Sequence, residues 1–219
     1  MKIALDGPAG AGKSTVAKAI AKQLDIMYLD TGAMYRTIGL YMDRLGIPPQ
    51  DENSVEKALA SAEFSVKYIA GTQHVFLKDE DVSEKIRENR VSALASAYSA
   101  LGCVRKYLVK MQQQTAEKQD CILDGRDIGT CVLPDADFKF FLTADSAERA
   151  RRRAEELKQK GQDFDLDALK KEIEQRDYND SHRAISPLVR AEDAVLVDST
   201  NLNIEQTVER IINIIKEGR

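Results

Sequence analysis

A run of residues near the amino terminus has the types and spacing of a phosphate-binding loop. It fits the pattern G-x-x-x-x-G-K-[ST] and consists of Gly7, Pro8, Ala9, Gly10, Ala11, Gly12, Lys13, Ser14 and Thr15. Glycines allow the backbone to approach an anion closely, and N–H groups at the start of a helix can then bind its oxygens. Lys13 would bridge the β- and γ-phosphates, and the Ser14 hydroxyl would bind Mg²⁺. The motif predicts a nucleoside triphosphate site; the alternative is a glycine-rich turn with a solvated lysine.

Three further clusters of polar and charged residues could meet a second ligand. They occupy residues 30–36, 124–129 and 176–183. The first two directly follow predicted strands, and ligands of open parallel sheets bind at the carboxyl ends of the strands. A phosphate loop is shared by switches, motors, pumps and small-molecule kinases, so the function depends on these clusters.

Short apolar runs alternate with helical patterns along the chain. Five runs are predicted to be strands: 2–5, 26–29, 121–123, 138–142 and 194–197. Their nearly continuous apolar composition is typical of strands covered on both faces. Apolar residues at helical spacing lie in 16–24, 34–45 and 204–215, and Asn203 with Gln206 resembles a capping box. The alternation predicts an α/β fold with three layers, α/β/α, around a five-stranded parallel sheet.

Two segments interrupt this alternation. Within residues 54–90, a short helix precedes alternating apolar and polar residues around a turn at Ala70, Gly71 and Thr72, which predicts a small antiparallel hairpin. Residues 149–167 are highly charged and break at Gly161, which predicts an exposed helical hairpin. We therefore expect a core domain of residues 1–50, 91–148 and 168–219, an insert of residues 51–90 and a lid of residues 149–167.

Composition excludes several classes of protein. The 219 residues are 43% hydrophobic, enough for a packed core, and 32 Lys and Arg against 36 Asp and Glu give a net charge of −4. A nucleic-acid-binding protein usually carries a broad basic surface, which this balance disfavours. The three cysteines and two histidines follow no metal-binding spacing. With neither a signal peptide nor a membrane-spanning run in the sequence, we expect a cytoplasmic protein without nucleic-acid or membrane partners, and a monomer as the default.

Together these motifs resemble those of the bacterial cytidylate kinases, which phosphorylate CMP and dCMP with ATP. The resemblance runs from end to end and rests on the phosphate loop, on residues 29–36 and 124–130, and on 176–177 with 183–188. It implies a P-loop kinase fold with ATP and CMP or dCMP as substrates and Mg²⁺ as cofactor. Thr31 stands where many relatives have serine, which keeps the hydroxyl group.

The resemblance also implies which residues read the base. Asp127 would accept a hydrogen bond from the exocyclic amine of cytosine, while Arg105 and Ser96 would serve the ring acceptors. Uracil has a carbonyl where cytosine has the amine, so Asp127 would stay unpaired, and such a site can discriminate by roughly 10⁴. The alternatives are a solvent-facing Ser96 and a surface Arg105.

The same resemblance implies how the rest of the acceptor is held. Guanidinium groups suit phosphate oxygens and reduce the repulsion between two anionic substrates. The acceptor phosphate would contact three arginines, Arg36, Arg126 and Arg183, with the Thr31 hydroxyl nearby. The ribose would contact Arg176 and Asp180. For the ribose pair, the alternative is a salt bridge on a helix surface.

The charged segment 149–167 is predicted to close over ATP and bring arginines to the transferred phosphoryl group. We assign Arg153 to catalysis together with Lys13, Arg126 and Arg183. A solvated helix with salt bridges is the alternative for this segment, because Glu148, Glu155 and Glu156 lie among its arginines.

Asp124 would hold Mg²⁺ through water beside Ser14, and its alternative role is to cap a helix.

Other functions stay open at this point. A regulatory NTPase would need a water-positioning residue, and it would hydrolyse its nucleotide slowly without an acceptor. A nucleic-acid-binding P-loop protein is disfavoured by the acidic balance. The nearest alternative is a kinase for another small acceptor, such as a different monophosphate or shikimate, which only the base-facing residues distinguish.

Overall fold

A computed structural model describes residues 1–69, 71–159 and 161–218, except for the side chain of Asn89. The strands are β1 (Lys2–Asp6), β2 (Met27–Asp30), β3 (Phe64–Ile69), β4 (Thr72–Leu77), β5 (Glu80–Asp81), β6 (Cys121–Gly125), β7 (Phe138–Thr143) and β8 (Val195–Asp198). The helices are α1 (Lys13–Leu24), α2 (Thr31–Leu45), α3 (Glu52–Ala60), α4 (Asn89–Ser99), α5 (Gly102–Ala116), α6 (Ser146–Gln159), α7 (Leu166–His182) and α8 (Ile204–Glu217). Across these described ranges, no helix has the length and apolar character needed to cross a membrane.

The main sheet has five strands in the order β2-β6-β1-β7-β8. The central strand β1 runs parallel to both neighbours, and Asp6 at its carboxyl end lies opposite Gly125 of β6 and Phe141 of β7. Helices lie on both sides of the sheet. All five predicted strands and the predicted three-layer α/β/α fold are therefore confirmed, and the loops after β1 and β6 leave from the same edge.

The chain forms two compact units, and the first joins residues 1–28 to the segment that starts at Gln119. In its core the apolar faces of α1 and α8, including Ile20 and Ile211, pack with buried residues of β1, β7 and β8. Asn203 and Gln206 form the predicted capping box at the start of α8. Ile204, the first residue of α8, is exposed, so the buried face of α8 begins one turn later than the pattern predicted.

The second unit is continuous, from Leu29 to Lys118. Its helix α2 packs against α4 and ends at Gly46, which has a φ of 65°. The predicted hairpin is confirmed: β3 and β4 are antiparallel, with Val66 opposite Val75. In the predicted turn, Ala70 lies outside the described residues. The short β5 adds a third strand, which has too few residues to show an alternating pattern.

The charged segment 149–167 contains most of α6 but only the first two residues of α7, and these two helices pack against each other in the first unit. Arg151 and Arg152 both donate hydrogen bonds to the carboxylate of Glu148 on the same helix. The second helix, α7, is 17 residues long and extends through most of the third polar cluster. Arg176 and Asp180 therefore lie on a helix, beyond the end of the helical hairpin predicted for residues 149–167.

Candidate active site

The phosphate loop follows β1 and leads into α1, and its glycines are required by the backbone. Gly7 has a φ of 150°, and a Cβ added there would lie 1.9 Å from the carbonyl oxygen of Leu142 on β7. Gly12 caps the start of α1 in the left-handed conformation, with a φ of 86°. Because a side chain at position 7 would collide with backbone, the loop can pack this closely only with glycine.

Lys13 is the first residue of α1, and it is buried. Its ammonium group donates a hydrogen bond of 2.7 Å to the carbonyl oxygen of Pro8, within the phosphate loop. Burial and then the positive charge of Arg126 hold the pKa of Lys13 well below its usual range, and Arg176 acts in the same direction. The predicted phosphate-binding lysine is therefore an electrostatic neighbour of two predicted acceptor-binding arginines.

The two residues predicted to hold Mg²⁺ are in direct contact. The Ser14 hydroxyl donates a hydrogen bond of 2.7 Å to Asp124 Oδ2, and the Tyr28 hydroxyl donates to Oδ1 at 3.0 Å. Asp124 lies within β6, one residue before the end of the strand. A hydroxyl and a carboxylate are hard oxygen ligands that fit Mg²⁺, which takes few ligands from the protein and completes its shell with water and phosphate oxygens. Among the described residues, no group of three or more His, Cys, Asp or Glu side chains could hold a metal ion.

Asp6 is a residue of this site that sequence reasoning missed. At the end of β1, its two carboxylate oxygens accept hydrogen bonds of 2.8 Å from the backbone N–H groups of Ile128 and Gly129. Burial raises the pKa of Asp6 from 3.8 to about 6. Asp6 thereby fixes the turn that follows Asp127. The signal in the sequence was a charged residue ending an apolar strand immediately before the phosphate loop.

The second and third polar clusters meet at Arg126. Its Nε donates a hydrogen bond of 2.8 Å to Asp180 Oδ2. Burial alone would raise the pKa of Asp180, but the charge and hydrogen bond of Arg126, with help from Arg176 and Arg183, hold that pKa below its usual value. Asp180 is therefore ionised, and its carboxylate is engaged by the arginine that we predicted to bind phosphate.

Arg183 directly follows α7, and it is a charge partner of Asp127. Its Nη2 lies 3.8 Å from Asp127 Oδ1, and both side chains are buried. The Nε of Arg183 donates a hydrogen bond to the carbonyl oxygen of Ser186. The residue predicted to read the base and one predicted to hold the phosphate thus lie side by side.

Arg153 differs from these buried arginines, since its side chain is partly exposed on α6. Its Nη1 donates a hydrogen bond of 2.9 Å to Glu156 Oε2 on the same helix. Its assignment to catalysis stays a prediction.

In the second unit, Asp30 organises the start of α2. Its carboxylate caps the helix by accepting a hydrogen bond from Ala33 N at 2.8 Å, directly before the buried Thr31. The same carboxylate is 3.1 Å from Arg36 Nη2 and 3.4 Å from Arg87 Nη1. Sequence reasoning missed Arg87, because nothing in the local pattern at residues 85–87 relates it to Asp30.

Gln73 on β4 holds the backbone of Asp30 in the same unit. Its amide oxygen accepts a hydrogen bond from Asp30 N at 2.7 Å, and its amide nitrogen donates one to Asp30 O at 3.2 Å. The insert strand therefore fixes the residue that positions Arg36.

The remaining predicted base-reading residues lie on α4 and α5. Arg105 is buried, with its guanidinium carbon 5.6 Å from the centre of the Tyr35 ring and Nη1 3.4 Å from the carbonyl oxygen of Ser99. Ser96 is half-buried, one turn before Ser99 on α4. Arg105 is therefore no surface residue, and Ser96 is not fully solvent-facing.

Comparisons with known proteins point to one protein family along nearly the whole chain. The model of the cytidylate kinase family matches residues 3–217. A cytidylate kinase of Caldicellulosiruptor bescii is 50% identical over 214 residues, 98% of this chain and 95% of the relative.

A cytidylate kinase of Leuconostoc mesenteroides is 49% identical over 217 residues, with coverage of 99% and 97%. The crystal structure of an uncharacterized protein from Eubacterium ventriosum shares the fold, with a TM-score of 0.55 at 12% identity and coverage of 99% and 98%. The length and level of these matches show that the chain belongs to the cytidylate kinase family.

Proposed function

We propose that this protein transfers the γ-phosphoryl group of ATP to CMP and dCMP and releases ADP with CDP or dCDP. In this reaction an oxygen of the acceptor phosphate forms a bond to the γ-phosphorus, and the bond from that phosphorus to the β,γ-bridging oxygen breaks. Because the attacking oxygen already carries negative charge, the reaction needs no strong general base. Catalysis then consists mainly of alignment and charge neutralisation.

The observation that supports this proposal best is the proximity of cations predicted for two different substrates. Lys13 belongs to the phosphate loop, whereas Arg126 and Arg176 belong to the clusters predicted for the acceptor. The positive charges of both arginines lower the pKa of Lys13, so the three cations interact electrostatically. Asp124 and Asp6 offset part of this effect on Lys13, and Asp180 pairs with Arg126; the phosphates of two nucleotides would supply further negative charge.

We assign the donor to the phosphate loop. Backbone N–H groups of residues 7–15 and the Lys13 ammonium would bind the β- and γ-phosphates of ATP. Ser14 and Asp124 would hold Mg²⁺, which when bound neutralises charge on these phosphates. ATP binding would also break the hydrogen bond between Lys13 and Pro8, because Lys13 would turn to the phosphates.

We assign the acceptor phosphate to Arg36, Arg126 and Arg183, with Thr31 nearby. Arg126 and Arg183 are each paired with a carboxylate, Asp180 and Asp127 respectively. These pairs hold the guanidinium groups in place before the acceptor arrives, and each guanidinium has further N–H groups with which to bind phosphate. Arg176 and Asp180 would address the ribose.

We assign the cytosine to Ser96, Arg105 and Asp127. Asp127 Oδ1 lies 3.8 Å from Arg183 Nη2, and the oxygens of a carboxylate serve as hydrogen-bond acceptors. An ionised carboxylate favours the amine of cytosine and disfavours the carbonyl of uracil. We further propose that Arg153 on the α6–α7 hairpin reaches the transferred phosphoryl group when both substrates are bound, and that the enzyme is a cytoplasmic monomer.

A panel of acceptors tests the proposal. Purified protein is incubated with ATP, Mg²⁺ and one of CMP, dCMP, UMP, AMP or shikimate, and ADP formation is measured. We expect CMP and dCMP to be consumed much faster than the other acceptors. Comparable rates with UMP would refute the base assignment, and ADP formation without any acceptor would indicate a regulatory NTPase. Light scattering after size-exclusion chromatography tests the monomer.

A further inference from the structure

Arg149, in the first turn of α6, lies directly against the phosphate loop. Its Nη1 donates a hydrogen bond of 3.0 Å to the carbonyl oxygen of Ala9, and its Nε donates one of 2.8 Å to the carbonyl oxygen of Ala144. A Cβ added to Gly10 would lie 3.4 Å from the Cβ of Arg149. The Arg149 side chain therefore contacts the phosphate loop at two consecutive residues, Ala9 and Gly10.

Asp177 on α7 balances the buried charge of Arg149. Arg149 Nη1 lies 2.6 Å from Asp177 Oδ2, and the side chain of Arg149 is only 7% exposed. Removing one partner of a buried ion pair leaves the other charge without compensation, so the remaining group moves toward water or loses stability. An Arg149 without Asp177 would therefore not keep its hydrogen bond to Ala9.

Asp177 also links the loop to the acceptor-binding groups. It is adjacent to Arg176 on α7, and Asp180 lies one turn further along the same helix. Asp180 in turn binds Arg126. One helix is thus connected to the phosphate loop through Asp177 and Arg149, and to the second polar cluster through Asp180.

We propose that Arg149 and Asp177 are a positioning pair that sets the conformation of the phosphate loop and thereby the affinity for ATP. In this role the Arg149 guanidinium holds the Ala9 carbonyl, and Asp177 holds the guanidinium. The identity of the ligand as ATP rests on the proposed function. The pair contributes more to ATP binding than to CMP binding. Its contact with the phosphate loop is direct, whereas it can affect the acceptor site only through α7, which carries Asp180.

Asp177→Asn and Arg149→Lys test the proposal. Asp177→Asn keeps the shape of the side chain but removes its charge. Arg149→Lys keeps the positive charge, but a lysine cannot bind the carbonyls of Ala9 and Ala144 and the carboxylate of Asp177 at the same time. Glu155→Gln is the matched control, because it removes an exposed carboxylate that pairs with Arg151 on α6. Each variant is compared with wild type by calorimetric ATP titration without acceptor, by the KM values for ATP and CMP, and by thermal unfolding.

We expect both test variants to raise the dissociation constant and KM for ATP about tenfold, with a change of less than about twofold in the KM for CMP. Glu155→Gln should leave all three constants unchanged. ATP binding as tight as wild type in either folded test variant would overturn the proposal, as would equal losses of ATP and CMP binding. If wild type binds ATP but does not phosphorylate CMP, the proposed function fails, whereas the titrations still decide the role of the pair.

Discussion

The Ser14 hydroxyl donates its hydrogen bond to Asp124, 2.7 Å away, although the two residues are far apart in the sequence. The contact arises because α1 follows the loop at the carboxyl end of β1, and Asp124 lies one residue before the end of the parallel neighbour β6. The phosphate loop and the second polar cluster are thus joined through oxygen atoms suited to a hard cation.

Asp124→Asn should weaken the response to Mg²⁺. The amide keeps the shape and one oxygen acceptor but removes the negative charge, so we expect the Mg²⁺ concentration for half-maximal activity to rise about tenfold or more. Tyr28→Phe is the matched control, since it removes the other hydrogen bond to Asp124 and keeps the carboxylate. A magnesium titration at saturating ATP and CMP measures both variants. An unchanged midpoint in Asp124→Asn would refute the metal assignment.

Lys13→Ala should abolish most of the turnover and leave the fold intact. The substitution removes the cation proposed for the β- and γ-phosphates, so we expect kcat to fall by about 10² to 10³. Because the pKa of Lys13 is already lowered by burial and by Arg126, removing this charge should not destabilise the unliganded protein. Steady-state kinetics and thermal unfolding provide the measurements. Lys22→Ala, an exposed lysine on the same helix, should behave as wild type.

Asp127→Asn should relax the choice between CMP and UMP. An amide can donate to the carbonyl of uracil as well as accept from the amine of cytosine, so we expect the ratio of kcat/KM values for CMP and UMP to fall at least tenfold. The measurement is a competition between the two acceptors. Asp135→Asn, an exposed aspartate further along, serves as the control. If Asp127→Asn keeps the wild-type ratio, another residue reads the base.

Asp6 should make the stability of the protein depend on pH in an unusual direction. Its pKa in the folded state is about 6, above the 3.8 of an ordinary aspartate, so the folded state holds this proton more tightly than the unfolded state. The resulting stabilisation is complete below about pH 4 and is lost as the pH rises through 6.

We therefore expect the free energy of unfolding of wild type, relative to Asp6→Asn, to fall by about 3 kcal/mol between pH 4 and pH 7. Urea unfolding of the two proteins at several pH values measures this difference. A difference that does not change with pH would show that Asp6 titrates normally.

Gly7→Ala should destabilise the protein more than Gly12→Ala. Both glycines have positive φ angles, but only a Cβ at Gly7 meets backbone, at 1.9 Å from Leu142 O; a Cβ at Gly12 meets nothing within 4 Å. We expect Gly12→Ala to cost about 1 kcal/mol for the strained backbone and Gly7→Ala about 3 kcal/mol or more. Chemical unfolding without nucleotide measures both. Equal losses would mean that the loop can move away from β7.

Local patterns predicted the elements of the site well. The central strands β1 and β6 are buried along almost their whole length, so their apolar runs are nearly continuous, and the phosphate loop has a fixed spacing. From these two features and the rule that ligands gather at strand ends, the contact between Ser14 and Asp124 could be anticipated.

Contacts between distant parts of the chain could not be predicted in the same way. The hydrogen bonds from Ile128 and Gly129 to Asp6, and the approach of Arg87 to Asp30, depend on tertiary packing and leave no periodic pattern. The extent of α7 was also missed, because its apolar residues are few and its helical spacing is weak. The ion pair of Arg149 with Asp177 joins two helices whose sequences are dominated by charges.

The central position of β1 has a consequence for how the protein is made. Ile3 pairs with Ile122 and Phe138, so β1 is synthesised before both of its neighbours and cannot pair with them until the chain has grown past both. The continuous segment from Leu29 to Lys118 is synthesised completely in the meantime and can acquire its own structure first. Until then β1 is an unpaired apolar strand, the kind of nascent segment that chaperones bind, and this long-range pairing makes closure of the main sheet a late and slow event.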